Sequence, residues 1–244
     1  MRLAATSCMS PTRRISTPGD EPAAPPPGAE AFLPATRTLP TLQKAVQGCR
    51  GCDLYREATQ AVFGEGMPDA RIMLIGEQPG DAEDRAGHPF VGPAGKLLGD
   101  ALRAAGIPGD ATYITNVVKH FKFTRRGKKR IHDRPNRYER EACKPWLGAE
   151  LELVRPEIVV LLGASAAQTL LGSSFRVTQM RGRILETALA RYTIASVHPS
   201  SVLRAPDEDS RREARDAFFA DMRVVADCYR ALGSIRSARR PRPE

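Results

Sequence analysis

Three side chains in this sequence are of types that could carry chemistry: the carboxylate of Glu77, the amide of Asn116 and the imidazole of His198. A carboxylate stabilises developing positive charge or orients a nucleophile, an amide carries both a donor and an acceptor to read a pyrimidine edge, and an imidazole donates to a carbonyl that gains negative charge. Glu77 sits in Gly76-Glu77-Gln78-Pro79-Gly80-Asp81, followed by Gly87-His88-Pro89-Phe90-Val91-Gly92-Pro93-Ala94-Gly95. Glycine and proline at this density fix a loop whose backbone closely approaches a ligand, and Phe90 offers a face for a flat ring. His198 opens His198-Pro199-Ser200-Ser201-Val202-Leu203-Arg204, where hydroxyls and an arginine can hold phosphates and Leu203 can wedge into a base stack. Each segment also has a plain structural reading, as a strand-to-helix connection, a turn asparagine or a cap. Their joint presence favours a site.

Two other patterns carry chemistry. Cys49-Arg-Gly-Cys52 has the spacing that lets two thiolates reach one metal centre, with Cys143 as the natural third ligand. Between Lys119 and Arg130 lie seven Lys/Arg in twelve positions, Lys119, Lys122, Arg125, Arg126, Lys128, Lys129 and Arg130, interleaved with Phe121 and Phe123. A solvated loop is one reading; phosphate contact is the stronger one beside a base-binding pocket.

These residues need elements to position them. Four short β-rich runs, 70–75, 112–117, 157–162 and 192–197, read as buried parallel strands, and helical patterns over 94–105 and 139–153 lie between them. That alternation predicts an α/β class: a three-layer α/β/α domain around a central four-stranded parallel sheet, with ligands beyond the carboxyl ends of the strands. The polar motifs follow three of those ends. Residues 1–38, rich in proline and alanine, are expected to be disordered, 39–232 to form the domain and 233–244 a basic tail.

Of 244 residues, 37 Lys+Arg against 28 Asp+Glu give a net charge of +9, which suits an anionic partner such as nucleic acid. No unbroken apolar run approaches the ~18 residues of a spanning helix, so no membrane partner is expected. Five cysteines with a single Cys-x-x-Cys and no apolar leader point away from a secreted disulfide framework and toward the reducing cytoplasm.

Over roughly residues 40 to 230 the arrangement resembles the uracil-DNA glycosylase superfamily, particularly the iron-sulfur group containing the family 4 enzymes and the UdgX proteins. The resemblance rests on Gly76-Glu-Gln-Pro-Gly80, Pro89-Phe-Val-Gly-Pro-Ala-Gly95, Thr115-Asn-Val-Val-Lys-His-Phe-Lys-Phe123, Leu162-Gly-Ala164 and His198-Pro-Ser200. It implies that Phe90 stacks on a flipped-out uracil, Asn116 reads its polar edge and His198 favours the departing anion. Gly76, Gln78, Asp81, Ser200 and Arg204 would contribute to substrate binding, and Lys128, Lys129, Arg130, Ser201 and Leu203 to DNA contact.

Lys128-Lys-Arg-Ile-His132 resembles the Lys-Arg-Arg-Ile-His loop that distinguishes UdgX from ordinary family 4 enzymes, and Gln78 points the same way. By that resemblance His132 attacks C1′ after uracil leaves and stays bonded to the abasic sugar. Lys129 stands where that pattern has Arg, and Lys does not reproduce a guanidinium's planar hydrogen bonds. The resemblance also implies a [4Fe-4S] cluster held by Cys49, Cys52, His120 and Cys143; the spacing alone suits zinc equally. Three functions follow: a monomeric DNA-capturing glycosylase acting on uracil-containing DNA, with single strands favoured by the basic, aromatic loop; a turnover glycosylase that releases an abasic product; and a non-catalytic DNA-binding module.

Overall fold

The computed structural model describes residues 28–238. In chain order these form α1 (Leu39–Val46), β1 (Glu65–Gly66), β2 (Ile72–Gly76), α2 (Asp81–Ala86), α3 (Pro93–Ala104), β3 (Thr112–Asn116), β4 (Phe123–Arg126), β5 (Lys129–His132), α4 (Arg137–Val154), β6 (Ile158–Leu162), α5 (Ala164–Leu171), α6 (Val177–Met180), β7 (Ile184–Leu185), β8 (Tyr192–Ser196), α7 (Pro199–Leu203) and α8 (Glu208–Ala238). The main sheet runs β1-β3-β2-β6-β8-β7. Its central four strands are parallel, as expected, and β1 and β7 add short antiparallel edges. Two-residue edge strands carry too little periodicity to be read from sequence.

The parallel strands are continuous apolar runs because both faces are covered. Period-two alternation sends Met73, Ile75, Val159 and Leu161 into one core with Trp146 of α4 and Ala166 of α5. Ile72, Leu74, Val160 and Ile194 enter the other, against Leu98 of α3 and Phe218 and Met222 of α8. The result is a three-layer α/β/α domain. No helix among the described residues is long and apolar enough to cross a membrane.

At both ends the described residues include part of the segments expected to lie outside the domain. Residues 1–27 of the segment expected to be disordered lie outside the described residues. Ala29–Phe32 nevertheless forms a 3-10 turn with Ala29 buried in the core beside α4, giving that stretch an anchor its composition hides. Helix α8 continues through Ala238 into the expected basic tail, and 239–244 lie outside the described residues.

Candidate active site

The carboxyl ends of β2, β3 and β6 and the start of α7 surround a cleft of about 770 Å³. Register puts Gly76 opposite Asn116, so both strands end at one level. Gly76 is glycine because space demands it: a Cβ there would stand 2.3 Å from Asn116 Oδ1 and 2.8 Å from Phe90 Cζ. The missing methyl lets the amide and the aromatic ring meet over the strand end. Phe90 itself has φ 55°, a conformation uncommon outside glycine, and a Cβ on Gly95 would strike its carbonyl oxygen. Glu83 ties the two halves of this loop together by accepting from Gly80 N at 3.1 Å and Gly92 N at 2.8 Å. Asn116 is buried with Oδ1 unpartnered, and Glu77 Oε1 is likewise buried without a hydrogen bond. Both line the cleft, so an incoming polar ring and sugar would meet groups already stripped of water.

His198 is the N-cap of α7 and stands 5.9 Å, ring centre to ring centre, from Phe90. The Ser200 backbone N–H donates to His198 Nδ1 at 3.2 Å, which assigns the ring's proton to Nε2. Burial and the Arg204 and His132 charges push its pKa down to about 4. At neutral pH it is therefore an uncharged donor.

The tautomer of His132 is set from the opposite side. Gln78 Oε1 accepts from Lys122 N at 3.0 Å, fixing the amide so that Nε2 faces Asp133 O and His132 Nε2, each at 2.9 Å. His132 Nε2 accordingly carries a lone pair. Although His132 is partly exposed on β5, desolvation of its ring lowers its pKa, opposed by the Glu77 charge and reinforced by Arg204, so the ring is biased toward the neutral form.

The basic segment is a hairpin, β4 paired with β5, not a loop, and its charges divide sharply. Arg125, Arg126, Lys128 and Lys129 are exposed. Arg130 is not: with 9% of its side chain accessible, it pairs with Asp81 and Asp84 and lies over the rings of Phe121 and Phe123. Arg130, expected to touch DNA, instead clamps the hairpin to α2, and Asp81, expected to bind substrate, is the other jaw. Lys122 pairs with Glu139 of α4. Lys119 is wholly buried, with Nζ donating to Glu150, Thr115 Oγ1 and the Asn116 carbonyl. Clustering in sequence did not distinguish solvent-facing lysines from this one, whose carboxylate partner lies 31 residues away.

Cys49, Cys52, His120 and Cys143 are all buried on the α1 and α4 side of the sheet. Trp146 Nε1 donates to Cys49 Sγ at 3.2 Å, and Lys119 N donates to Cys143 Sγ at 3.3 Å. Burial pushes Cys52 up to about 11 and Cys143 up to about 12, and the three sulfurs interact with one another, while burial holds His120 down at about 4. Such thiols become thiolates only when a cation compensates them, and the imidazole is already neutral, so the donor set suits a metal group. Among the described residues no three His, Cys, Asp or Glu side chains converge as ligands of one ion would.

Of the residues expected at the site, Glu77, Gln78, Phe90, Asn116, His132, His198, Ser200, Ser201 and Arg204 line one cleft. Gly76 underlies it, Leu203 is exposed on α7, and Lys128 and Lys129 lie at the exposed hairpin tip. Sequence reasoning missed Arg134, Ser165 and Ile131 in the lining. Ile131 was legible as an apolar residue inside a basic run; Arg134 and Ser165 carry no signal in the sequence. It also missed Glu83, which the Gly80-x-x-Glu83 capping pattern could have shown.

Fold and site together define an α/β domain whose strand-end cleft is equipped to hold a flat polar ring and act on the bond beneath it. The chain belongs to the uracil DNA glycosylase superfamily, whose family model matches residues 63–223. It is 37% identical over 172 residues to the type-4 uracil-DNA glycosylase of Thermotoga maritima, covering 70% of this chain and 86% of that protein. It is 32% identical over 205 residues to the type-4 uracil-DNA glycosylase of Sulfurisphaera tokodaii (79% and 90%), and 33% over 199 residues to that of Archaeoglobus fulgidus (78% and 92%).

Proposed function

We propose that this protein excises uracil from DNA and that His132 then bonds to C1′ of the abasic sugar. The observation that carries the excision step is the set of groups on one cleft: Phe90 as a stacking face, Asn116 as an edge reader, His198 as a neutral Nε2–H donor and Glu77 as a carboxylate whose buried Oε1 accepts no hydrogen bond. As the glycosidic bond breaks, its electron pair goes to uracil, whose carbonyl oxygen accepts from His198, while Glu77 faces the positive charge at C1′. Extrusion is least costly from single strands or mismatches, consistent with the exposed hairpin cations.

The bonding step is supported by the lone pair that Gln78 assigns to His132 Nε2. Nε2 would supply the new bond's electron pair, and the imidazolium Nδ1 proton would pass to solvent. A second reading, water as the final nucleophile with release of an abasic product, is favoured by the type-4 names of the relatives and by the Gln78 hydrogen bond, which occupies that lone pair until the ring moves. A labelled, uracil-containing single strand run on a denaturing gel beside His132→Ala, with free uracil assayed in parallel, separates them. A heat-stable shifted band in wild type alone is expected; uracil release with no band overturns the role of His132.

We also propose that Cys49, Cys52, His120 and Cys143 hold a [4Fe-4S] cluster in a structural role. Excision needs no electron transfer, and the cluster's charge would stabilise the buried thiolates. Iron and acid-labile sulfide contents of about four each per chain are expected, and zinc in their place would overturn the cluster.

A further inference from the structure

Arg134 follows the hairpin and enters the cleft next to Glu77. Its Nε–H donates to Ser165 Oγ at 2.7 Å, and the same nitrogen lies 3.4 Å from Glu77 Oε1. One hydrogen on Nε cannot serve both, so Ser165 takes it and Glu77 Oε1 remains without a hydrogen bond. Ser165 is buried near the N-terminus of α5, giving the guanidinium a fixed anchor. Its two terminal nitrogens have no hydrogen-bond partner among the described residues, and the side chain is 59% accessible. A guanidinium held by Nε with its outer edge open presents two parallel N–H groups, the geometry that takes a phosphate bidentately.

We propose that Arg134 binds the phosphodiester adjoining the flipped deoxyuridine. This rests on the uracil-excision reading and adds a contact that registers the DNA backbone against the Glu77 carboxylate. Arg204 stands elsewhere on the cleft wall, its Nη1 donating to Ser200 Oγ at 3.0 Å. The two arginines thus place cationic groups on separate wall segments, as a strand threading the cleft requires. Ser165 is a positioning residue, and its contribution reaches DNA only through Arg134.

The test measures binding to a single strand carrying one 2′-fluoro-2′-deoxyuridine, whose fluorine disfavours positive charge at C1′ and so blocks excision, against the same strand with thymidine. Affinity is followed from low to moderate salt for wild type, Arg134→Gln, Arg134→Lys and Ser165→Ala, each checked for an unchanged melting temperature. Loss of one phosphate contact on a single strand lowers the slope of log affinity against log salt by about 0.7. Arg134→Gln is expected to show that drop and to bind the fluorinated strand about tenfold more weakly at low salt. Arg134→Lys should keep the slope while binding less tightly, and Ser165→Ala should weaken binding with the slope unchanged. An unchanged slope in Arg134→Gln alongside slower excision of ordinary uracil would overturn the phosphate contact and leave Arg134 acting on Glu77 alone. If wild type does not distinguish the fluorinated strand from the thymidine strand, the excision reading itself fails, whatever the variants do.

Discussion

At the scale of single residues, the site works by controlling where protons and lone pairs are before any ligand arrives. A backbone N–H aimed at His198 Nδ1 and an amide aimed at His132 Nε2 give the two imidazoles opposite tautomers, one with its proton on Nε2 and the other with a lone pair there. Neutral His198 also carries a pH dependence of stability. Its pKa lies below the unfolded imidazole's 6.5, at about 4, so the unfolded chain binds more protons between those values and stability falls as pH drops through that window. Denaturant unfolding at several pH values should show this decline, and His198→Asn, whose side chain can still cap α7, should remove part of it; an identical pH slope in both proteins would place the titration elsewhere. Gly76→Ala makes a second prediction. The new methyl meets Asn116 and Phe90, so overpacking should cost about 1–3 kcal/mol. Excision should fall about a hundredfold or more as the pocket's edge reader shifts by a sub-ångström to ångström distance. Single-turnover rates alongside calorimetric melting check it, and a melting loss with full activity would show that the ring does not sit on this strand end.

At the scale of elements, two buried ion pairs fasten neighbouring elements to one another. Arg130 fastens the β4–β5 hairpin, and with it His132, to α2 through Asp84, which is fully buried, and Asp81. Arg130→Ala leaves Asp84 buried without its cation and should destabilise the protein by about 3–5 kcal/mol. On the proposed role of His132, it should also reduce covalent capture more than uracil release, because the hairpin carries His132 while the strand ends carry the proposed excision groups; equal losses would mean the hairpin does not deliver the nucleophile. Lys119 and Glu150, both inaccessible, fasten the end of β3 to α4. Replacing both with apolar residues should not restore stability, since Tyr113 OH, Thr115 Oγ1 and Gly64 N also donate to Glu150 and would be stranded. Double-mutant unfolding tests this, and full recovery would show those donors find water. These pairs also mark the limit of what was legible. The four parallel strands and the strand-end motifs show in the sequence because apolar runs and glycine-rich loops are local. Arg130 and Lys119 were read as members of a basic run because their partners lie on other elements, and no local pattern says which cation turns inward.

For the whole molecule, the net charge of +9 divides between encounter and architecture. Lys119, Lys122 and Arg130 are committed to carboxylates inside the fold, whereas Arg125, Arg126, Lys128 and Lys129 project from the hairpin into solvent. Exposed cations act through released counterions, so their effect is independent of base identity and steep in salt. Cleft groups, on the proposed reading, instead act on the extruded nucleotide and are specific to it. Replacing Lys128 and Lys129 together with glutamine should therefore weaken binding of uracil and thymidine single strands by the same factor. If both contact phosphate, the salt slope should fall by about 1.4 for the pair. The reaction yield at saturating protein should remain that of wild type, because neither side chain touches the cleft and Arg130 still clamps the hairpin. Fluorescence anisotropy across a salt series, with single-turnover product measured at saturation, checks both halves. A loss confined to the uracil strand would move these lysines from the encounter surface into the recognition site, and would mean that the hairpin closes over bound DNA instead of only attracting it.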